Sequence, residues 1–282
     1  MPILYRVTRL NGSFSSIGKK VRLGRILKGG RAVIFAFDHG FEHGPSDFPE
    51  GRESPRAVIE LAAMAGFDAI MTTKGVARAT YDLWAGRVPL ILKVTGKTSI
   101  RPPEQQFLQY SIGSVEEAIA MGADGVAATV YWGSPHEELM AEQFSSIVSI
   151  CDSVGMPVMI LSYPRGPGMS DWYNVETVRY ACRASAELGA DLIKTYYTGS
   201  AETFKRVVEV SPVPVLMSGG AKAKDEIDFL KAVESVISAG GSGVVVGRNV
   251  FQSPNFMGLA RAVMSIVHGG KAAEEALKIA RE

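Results

Sequence analysis

Short, nearly unbroken apolar runs alternate along this chain with longer segments whose apolar positions recur every three or four residues. The first pattern marks strands buried on both faces, as in a parallel sheet, and the second marks amphipathic helices. Eight such runs read as strands: 31–37, 68–73, 88–94, 125–131, 157–162, 192–196, 213–217 and 242–246. Helical spacing covers 54–65, 114–121, 136–153, 175–188, 201–210 and 225–239. Ser114 stands three residues before Glu117, the spacing of a capping box. Gly122, Gly189 and Gly240 follow helical patterns where a left-handed C-cap belongs. The phrase helix–glycine–strand recurs at each of these points, which is what βα repeats produce.

Between these elements, 97–113 reads as a long polar connection, 80–86 as a turn or two of helix, and Gly40 and Gly44 argue for a loop after the first strand. Residues 1–30 form an N-terminal extension, polar and turn-rich over 12–20, with a short helix at 21–27. The remainder, 31–282, fits a single (β/α)8 TIM barrel better than an open doubly wound sheet, because eight strands and their intervals leave little over.

Composition narrows the function classes. The chain has 282 residues, 46% of them hydrophobic, and 30 basic against 29 acidic side chains, for a net charge of +1. A nucleic-acid module carries a clustered basic excess, and none is present. No apolar run approaches a membrane span, and the N-terminus has no apolar secretory core. Cys151 and Cys182 are sparse and irregularly spaced, as in reduced intracellular proteins. The expectation is a cytoplasmic protein without nucleic-acid or membrane partners.

In a barrel of this kind, chemistry sits at the C-terminal ends of the strands. Those ends carry Asp38-His39, Lys74, Tyr131-Trp132, Tyr163-Pro-Arg165, Ser218-Gly219-Gly220 and Gly247-Arg248, with Lys93 and Lys194 inside the third and sixth strands. Glycines let backbone amides approach a phosphate, and arginine adds a forked donor, so the loops after the seventh and eighth strands together read as a phosphate site. A lysine inside an apolar barrel is desolvated, which favours a neutral, nucleophilic amine able to form an iminium with a ketone. Lys74, Lys93 and Lys194 all qualify on that ground, and the alternative for an interior lysine is a structural one paired with a carboxylate such as Asp38. Tyr163 and Asp38 are placed to move protons. His39 and His43 have the i, i+4 spacing of a zinc pair, so metal-dependent carbon–carbon bond cleavage is an alternative chemistry. A sugar-phosphate sensor, with the phosphate loops and no nucleophile, is another.

The motifs Asp38-His-Gly-Phe-Glu-His-Gly-Pro-Ser-Asp-Phe48, Ser162-Tyr-Pro-Arg-Gly166, Gly189-Ala-Asp-Leu-Ile-Lys-Thr-Tyr-Tyr-Thr-Gly199, Met217-Ser-Gly-Gly220 and Gly247-Arg-Asn249 resemble the archaeal-type class I fructose-bisphosphate aldolases, the DeoC/FbaB aldolase family. The resemblance runs from about residue 20 to residue 268. It implies Lys194 as the Schiff-base residue, Tyr163 as the proton donor and Asp38 as general base or substrate orienter. It implies sugar-phosphate contacts by His39, Ser218, Gly219, Gly220, Gly247 and Arg248, with Arg165 on the substrate's other phosphate and Lys93 as a supporting interior charge. It further implies no cofactor or metal and a homo-oligomer, often a decamer; an apolar side chain such as Trp172 serves either an interface or local packing. Neighbouring members of the family are 2-amino-3,7-dideoxy-D-threo-hept-6-ulosonate synthases, 6-deoxy-5-ketofructose 1-phosphate synthases and an autoinducer-2 phosphate thiolase, and these stand as alternatives to fructose 1,6-bisphosphate cleavage.

Overall fold

Among the described residues ten strands form, eight of which close on themselves. A computed structural model describes residues 14–220 and 222–281 of the chain. The strands are β1 (Ala32–Phe37), β2 (Ala69–Thr72), β3 (Leu90–Lys93), β4 (Thr95–Gly96), β5 (Tyr110–Ser111), β6 (Gly125–Trp132), β7 (Val158–Pro164), β8 (Leu192–Thr195), β9 (Val215–Ser218) and β10 (Gly243–Val246). All but β4 and β5 pair in parallel in the cyclic order β1-β10-β9-β8-β7-β6-β3-β2. The closed eight-stranded parallel barrel, with helices between its strands, is a (β/α)8 TIM barrel. The antiparallel pair β4–β5 is an addition that ties the residues just before the connection expected at 97–113 to its far end.

Strand side chains alternate between two separate apolar clusters, as the period of two requires. Val33, Phe35 and Phe37 of β1 face outward toward the helices, whereas Ala32, Ile34 and Ala36 face the barrel interior. The same division puts Ile160 outside and Met159 and Leu161 inside on β7, and Ile193 outside and Leu192 inside on β8. Both faces are apolar, so the run looks unbroken in sequence although its contacts alternate in space.

The helices lie close to expectation where caps announce them. The Ser114 hydroxyl accepts from the Glu117 amide at 3.2 Å, and Glu117 accepts in return from the Ser114 amide at 3.0 Å. Gly122, Gly189 and Gly240 take φ of 72°, 95° and 86°, in the left-handed region that ends a helix cheaply only at glycine. Four departures stand out. Helix Phe14–Ile26 covers much of the segment read as turn-rich. It packs Ile26 into the interior cluster, with Leu23 and Leu27 beside it, and so plugs the barrel's N-terminal end. Its Arg22 donates to the Gly155 carbonyl at 2.9 Å, and Lys19 pairs with Asp191 at 2.8 Å. Helices Phe256–Val267 and Ala273–Arg281 close the chain where no helix was expected. Lys74 begins a helix, Lys74–Ala79, rather than ending a strand. The segment expected as a loop after β1 is a single helical turn, His39–His43, because Asp38 and Gly40 supply carbonyls to the amides of Glu42 and Gly44 at 3.2 Å each. One turn tolerates a glycine at a cost of about 1 kcal/mol. Among the described residues no helix is long and apolar enough to cross a membrane.

Candidate active site

The interior register of each strand, continued by two residues, arrives at a polar group. Ala36 leads to Asp38, Ile91 to Lys93, Leu161 to Tyr163, Leu192 to Lys194, Leu216 to Ser218 and Val245 to Gly247. The apolar interior therefore ends in a polar layer at the C-terminal mouth. A cavity of about 160 Å³ opens there. It is lined by Asp38, His39, Tyr163, Arg165, Lys194, Ser218, Gly219, Gly220, Gly247 and Arg248. The three candidate lysines separate. Lys74 lies outside the barrel, 43% exposed and paired with Glu117 at 2.8 Å. Lys93 and Lys194 line the cavity and are 1% and 6% exposed.

The two buried amines differ in their partners. Lys93 Nζ lies 3.3 Å from Asp38 and 3.4 Å from Glu42. Burial disfavours its charge, but Glu42 and Asp38 outweigh burial and hold its pKa above the usual lysine value. Lys194 is desolvated by burial and faces the fixed ammonium of Lys93. These outweigh the attraction of Asp38 and bring it down to about 8. A neutral amine is therefore accessible near neutral pH at Lys194 and not at Lys93. Burial pushes the Asp38 carboxyl up, but Lys93, His39 and Lys194 together hold it below the ordinary aspartate range. It stays a carboxylate.

Around these charges stand phenols and donors. The Tyr163 hydroxyl is 3.1 Å from Ser218 Oγ, and burial raises its pKa, so it remains a protonated phenol. Its ring stacks on Tyr196 with centroids 4.6 Å apart. The Arg165 guanidinium sits between two rings, 5.1 Å from the Tyr131 centroid and 4.7 Å from Trp172. Trp172 is therefore half-buried against Arg165 rather than presented at a surface. The buried Nε atoms of Arg165 and Arg248 have no hydrogen-bond partner. Buried guanidinium donors without partners fit an anion.

The glycine loops are held in place. Asn249 donates to the Gly219 carbonyl at 2.6 Å and accepts from the Ala223 amide at 2.7 Å, which ties the loop after β9 to the loop after β10. At Gly247 an added Cβ would run into the His39 ring and come within 3.0 Å of the Ala36 carbonyl, so only glycine lets the chain pass here. His39 is neutral, lowered to about 3 by burial against the partial attraction of Asp38. The His39 and His43 rings lie 6.0 Å apart. Among the described residues no group of three or more His, Cys, Asp and Glu side chains is arranged to hold a metal ion.

The cavity also contains residues to which the sequence reading gave no site role. Tyr131 and Tyr196 follow Thr129 and Lys194 by two, so the strand period itself pointed to them. Gln109 arrives from the connection between β4 and β5, and no local pattern announces it. Glu42 comes from the one-turn helix that was expected as a loop, as does His43, which the sequence had offered only as half of a zinc pair.

The family model of the DeoC/LacD family aldolases matches residues 32–253. The chain belongs to the DeoC/LacD aldolase family. Relatives within reach of this family are similar over nearly their whole length. A class 1 fructose-bisphosphate aldolase of Thermoproteus tenax is 44% identical over 89% of this chain and 94% of its own. A 2-amino-3,7-dideoxy-D-threo-hept-6-ulosonate synthase of Archaeoglobus fulgidus is 39% identical over 94% of this chain and 96% of its own. The structure of an archaeal fructose-1,6-bisphosphate aldolase, with its catalytic Lys covalently bound to the carbinolamine intermediate, is 41% identical to this aldolase-family chain. It covers 88% of this chain and 99% of its own, with a TM-score of 0.82.

Proposed function

We propose that this protein is a class I aldolase that reversibly cleaves fructose 1,6-bisphosphate to dihydroxyacetone phosphate and glyceraldehyde 3-phosphate, with Lys194 as its Schiff-base residue. The observation that carries the reading is an amine lowered to about 8, buried at the inner end of a cavity that also holds a carboxylate, a phenol and a glycine–arginine anion site. The Schiff-base and carbinolamine chemistry of similar fructose-1,6-bisphosphate aldolases supports it.

In this reading the neutral Lys194 amine adds to the C2 carbonyl of the open-chain ketose, and Tyr163 supplies the proton that lets water leave the carbinolamine. The resulting iminium accepts the electron pair of the C3–C4 bond as that bond breaks. Asp38, a carboxylate, takes the proton of the C4 hydroxyl, and glyceraldehyde 3-phosphate departs. The proton taken by Asp38 passes through water to restore the Tyr163 phenol, which then protonates the enamine at C3. Hydrolysis of the iminium gives that proton back to Tyr163 as it returns the amine and dihydroxyacetone phosphate. Ser218, Gly219, Gly220, Gly247, Arg248 and His39 hold one phosphate, and Arg165 holds the other. No cofactor enters this sequence. Because the steps are reversible, one site serves cleavage in glycolysis and condensation in gluconeogenesis.

Borohydride reduction in the presence of dihydroxyacetone phosphate tests the assignment. Mass spectrometry is expected to find the adduct on Lys194, and Lys194→Ala is expected to abolish both adduct and turnover. An adduct on Lys93 would refute the reading. The synthase reading, favoured by 39% identity to the Archaeoglobus relative, uses the same amine, and a comparison of kcat/KM across both substrate sets decides between them. A homo-oligomer is also proposed, supported by the exposed side chains of Met64, Tyr81 and Tyr180, and light scattering measures its size.

A further inference from the structure

Asp38 and Glu42 stand four residues apart on one helical turn, with the Glu42 amide bonded to the Asp38 carbonyl at 3.2 Å. That spacing puts both carboxylates on one side of the turn, and Lys93 Nζ lies between them at 3.3 and 3.4 Å. The second carboxylate is not left loose. The Gln109 amide nitrogen donates to both Glu42 oxygens, at 3.0 and 3.2 Å, and lies 2.7 Å from the Tyr131 hydroxyl. Glu42, Gln109, Tyr131 and Lys93 are all buried. A buried glutamate anchored by a buried amide is costly to maintain, and the substrate chemistry above gives it no task.

We infer that Glu42 is a positioning residue of the active site: held by Gln109, it shares Lys93 with Asp38, so that Lys93 remains a fixed ammonium beside Lys194 while Asp38 keeps capacity to meet the substrate. With Glu42 absent, Lys93 is drawn onto Asp38 alone, and the site carries one more net positive charge. The inference rests on Lys194 being the reacting amine. The ionisable groups that act on Lys194 are Asp38, Lys93, Glu42 and Arg248, with His39 neutral and Tyr163 a protonated phenol. Glu42 attracts the Lys194 proton and Lys93 repels it, so removal of each has an opposite sign.

The experiment is the pH dependence of borohydride trapping with dihydroxyacetone phosphate, in full-length wild type, Glu42→Gln and Lys93→Met. In Glu42→Gln the midpoint for adduct formation moves down by about one pH unit. The same variant loses about tenfold in kcat with fructose 1,6-bisphosphate, as Asp38 is captured. In Lys93→Met the midpoint moves up, because two carboxylates then face Lys194 with the repulsion of Lys93 removed. A merely structural Glu42 lowers the yield of active protein and leaves the midpoint where it was, and that result, in whichever variant folds, overturns the inference. A wild-type protein that forms no adduct on Lys194 at any pH overturns the aldolase reading itself and takes this inference with it. A wild-type adduct with unmoved variant midpoints sinks the inference alone.

Discussion

Lys93 and Lys194 are two buried amines on the inner wall of one barrel, and their difference is one of partners rather than of burial. Two carboxylates beside Lys93 keep it an ammonium, while Lys194 faces that ammonium and falls to about 8. No local sequence pattern separates them, since both sit in apolar strands. Tyr163 follows the same logic: desolvation raises its phenol, so it stays protonated, as the donor role proposed for it requires. Tyr163→Phe is therefore expected to lower kcat by about 10²-fold or more while the covalent adduct on Lys194 still forms. Rapid-quench trapping checks this, with carbinolamine accumulation as the expected mark. Turnover within twofold of wild type would remove Tyr163 from the proton path.

At the scale of elements, the site is assembled from strand ends and short loops, and stability is supplied elsewhere. The helix Phe14–Ile26 lies at the opposite end of the barrel from the cavity and inserts the fully buried Ile26 among Ala32, Ala69 and Leu192. Such a plug closes an interior that would otherwise admit water at its base. Ile26→Ala is expected to cost about 2–5 kcal/mol of stability with kcat unchanged. Urea denaturation beside a turnover assay measures both, and a loss of kcat at full occupancy of the folded state would argue that the two ends of the barrel are coupled. The capping box at Ser114 and the glycine C-caps were legible because they depend on residues close in the chain. The one-turn helix after β1 was not, since its glycines point locally to a loop and only its packing beside the barrel mouth favours the turn.

For the whole molecule, the pH response belongs to a field assembled from many strands. Asp38 comes from the end of β1, Lys93 from β3, Lys194 from β8 and Arg248 from beyond β10, and each acts on Lys194. With Lys194 near 8, the ammonium dominates below that pH and the reactive amine above it. The rate of adduct formation with dihydroxyacetone phosphate is thus expected to rise about tenfold per pH unit below 8 and to level off above it. His39, lowered to about 3, stays neutral throughout this range and adds no second limb. A rate that is flat from pH 6 to 9 would show that the amine is already neutral at low pH or that another step limits it.

The chain's own pattern determined the eight strands, their parallel arrangement and the strand ends where chemistry would gather, because these follow from periodicity and from caps only a few residues long. Its motifs also singled out Lys194, Tyr163 and the glycine loops. What the folded barrel alone decided was which lysine is free. Lys74 turned outward to Glu117, Lys93 was bound by Asp38 and Glu42, and Lys194 was left between a fixed positive charge and the open cavity. Gln109 entered the site from a connection with no local signature. Electrostatic partnership depends on distances across the barrel, and residues 51 to 67 positions apart in the chain meet only once it closes.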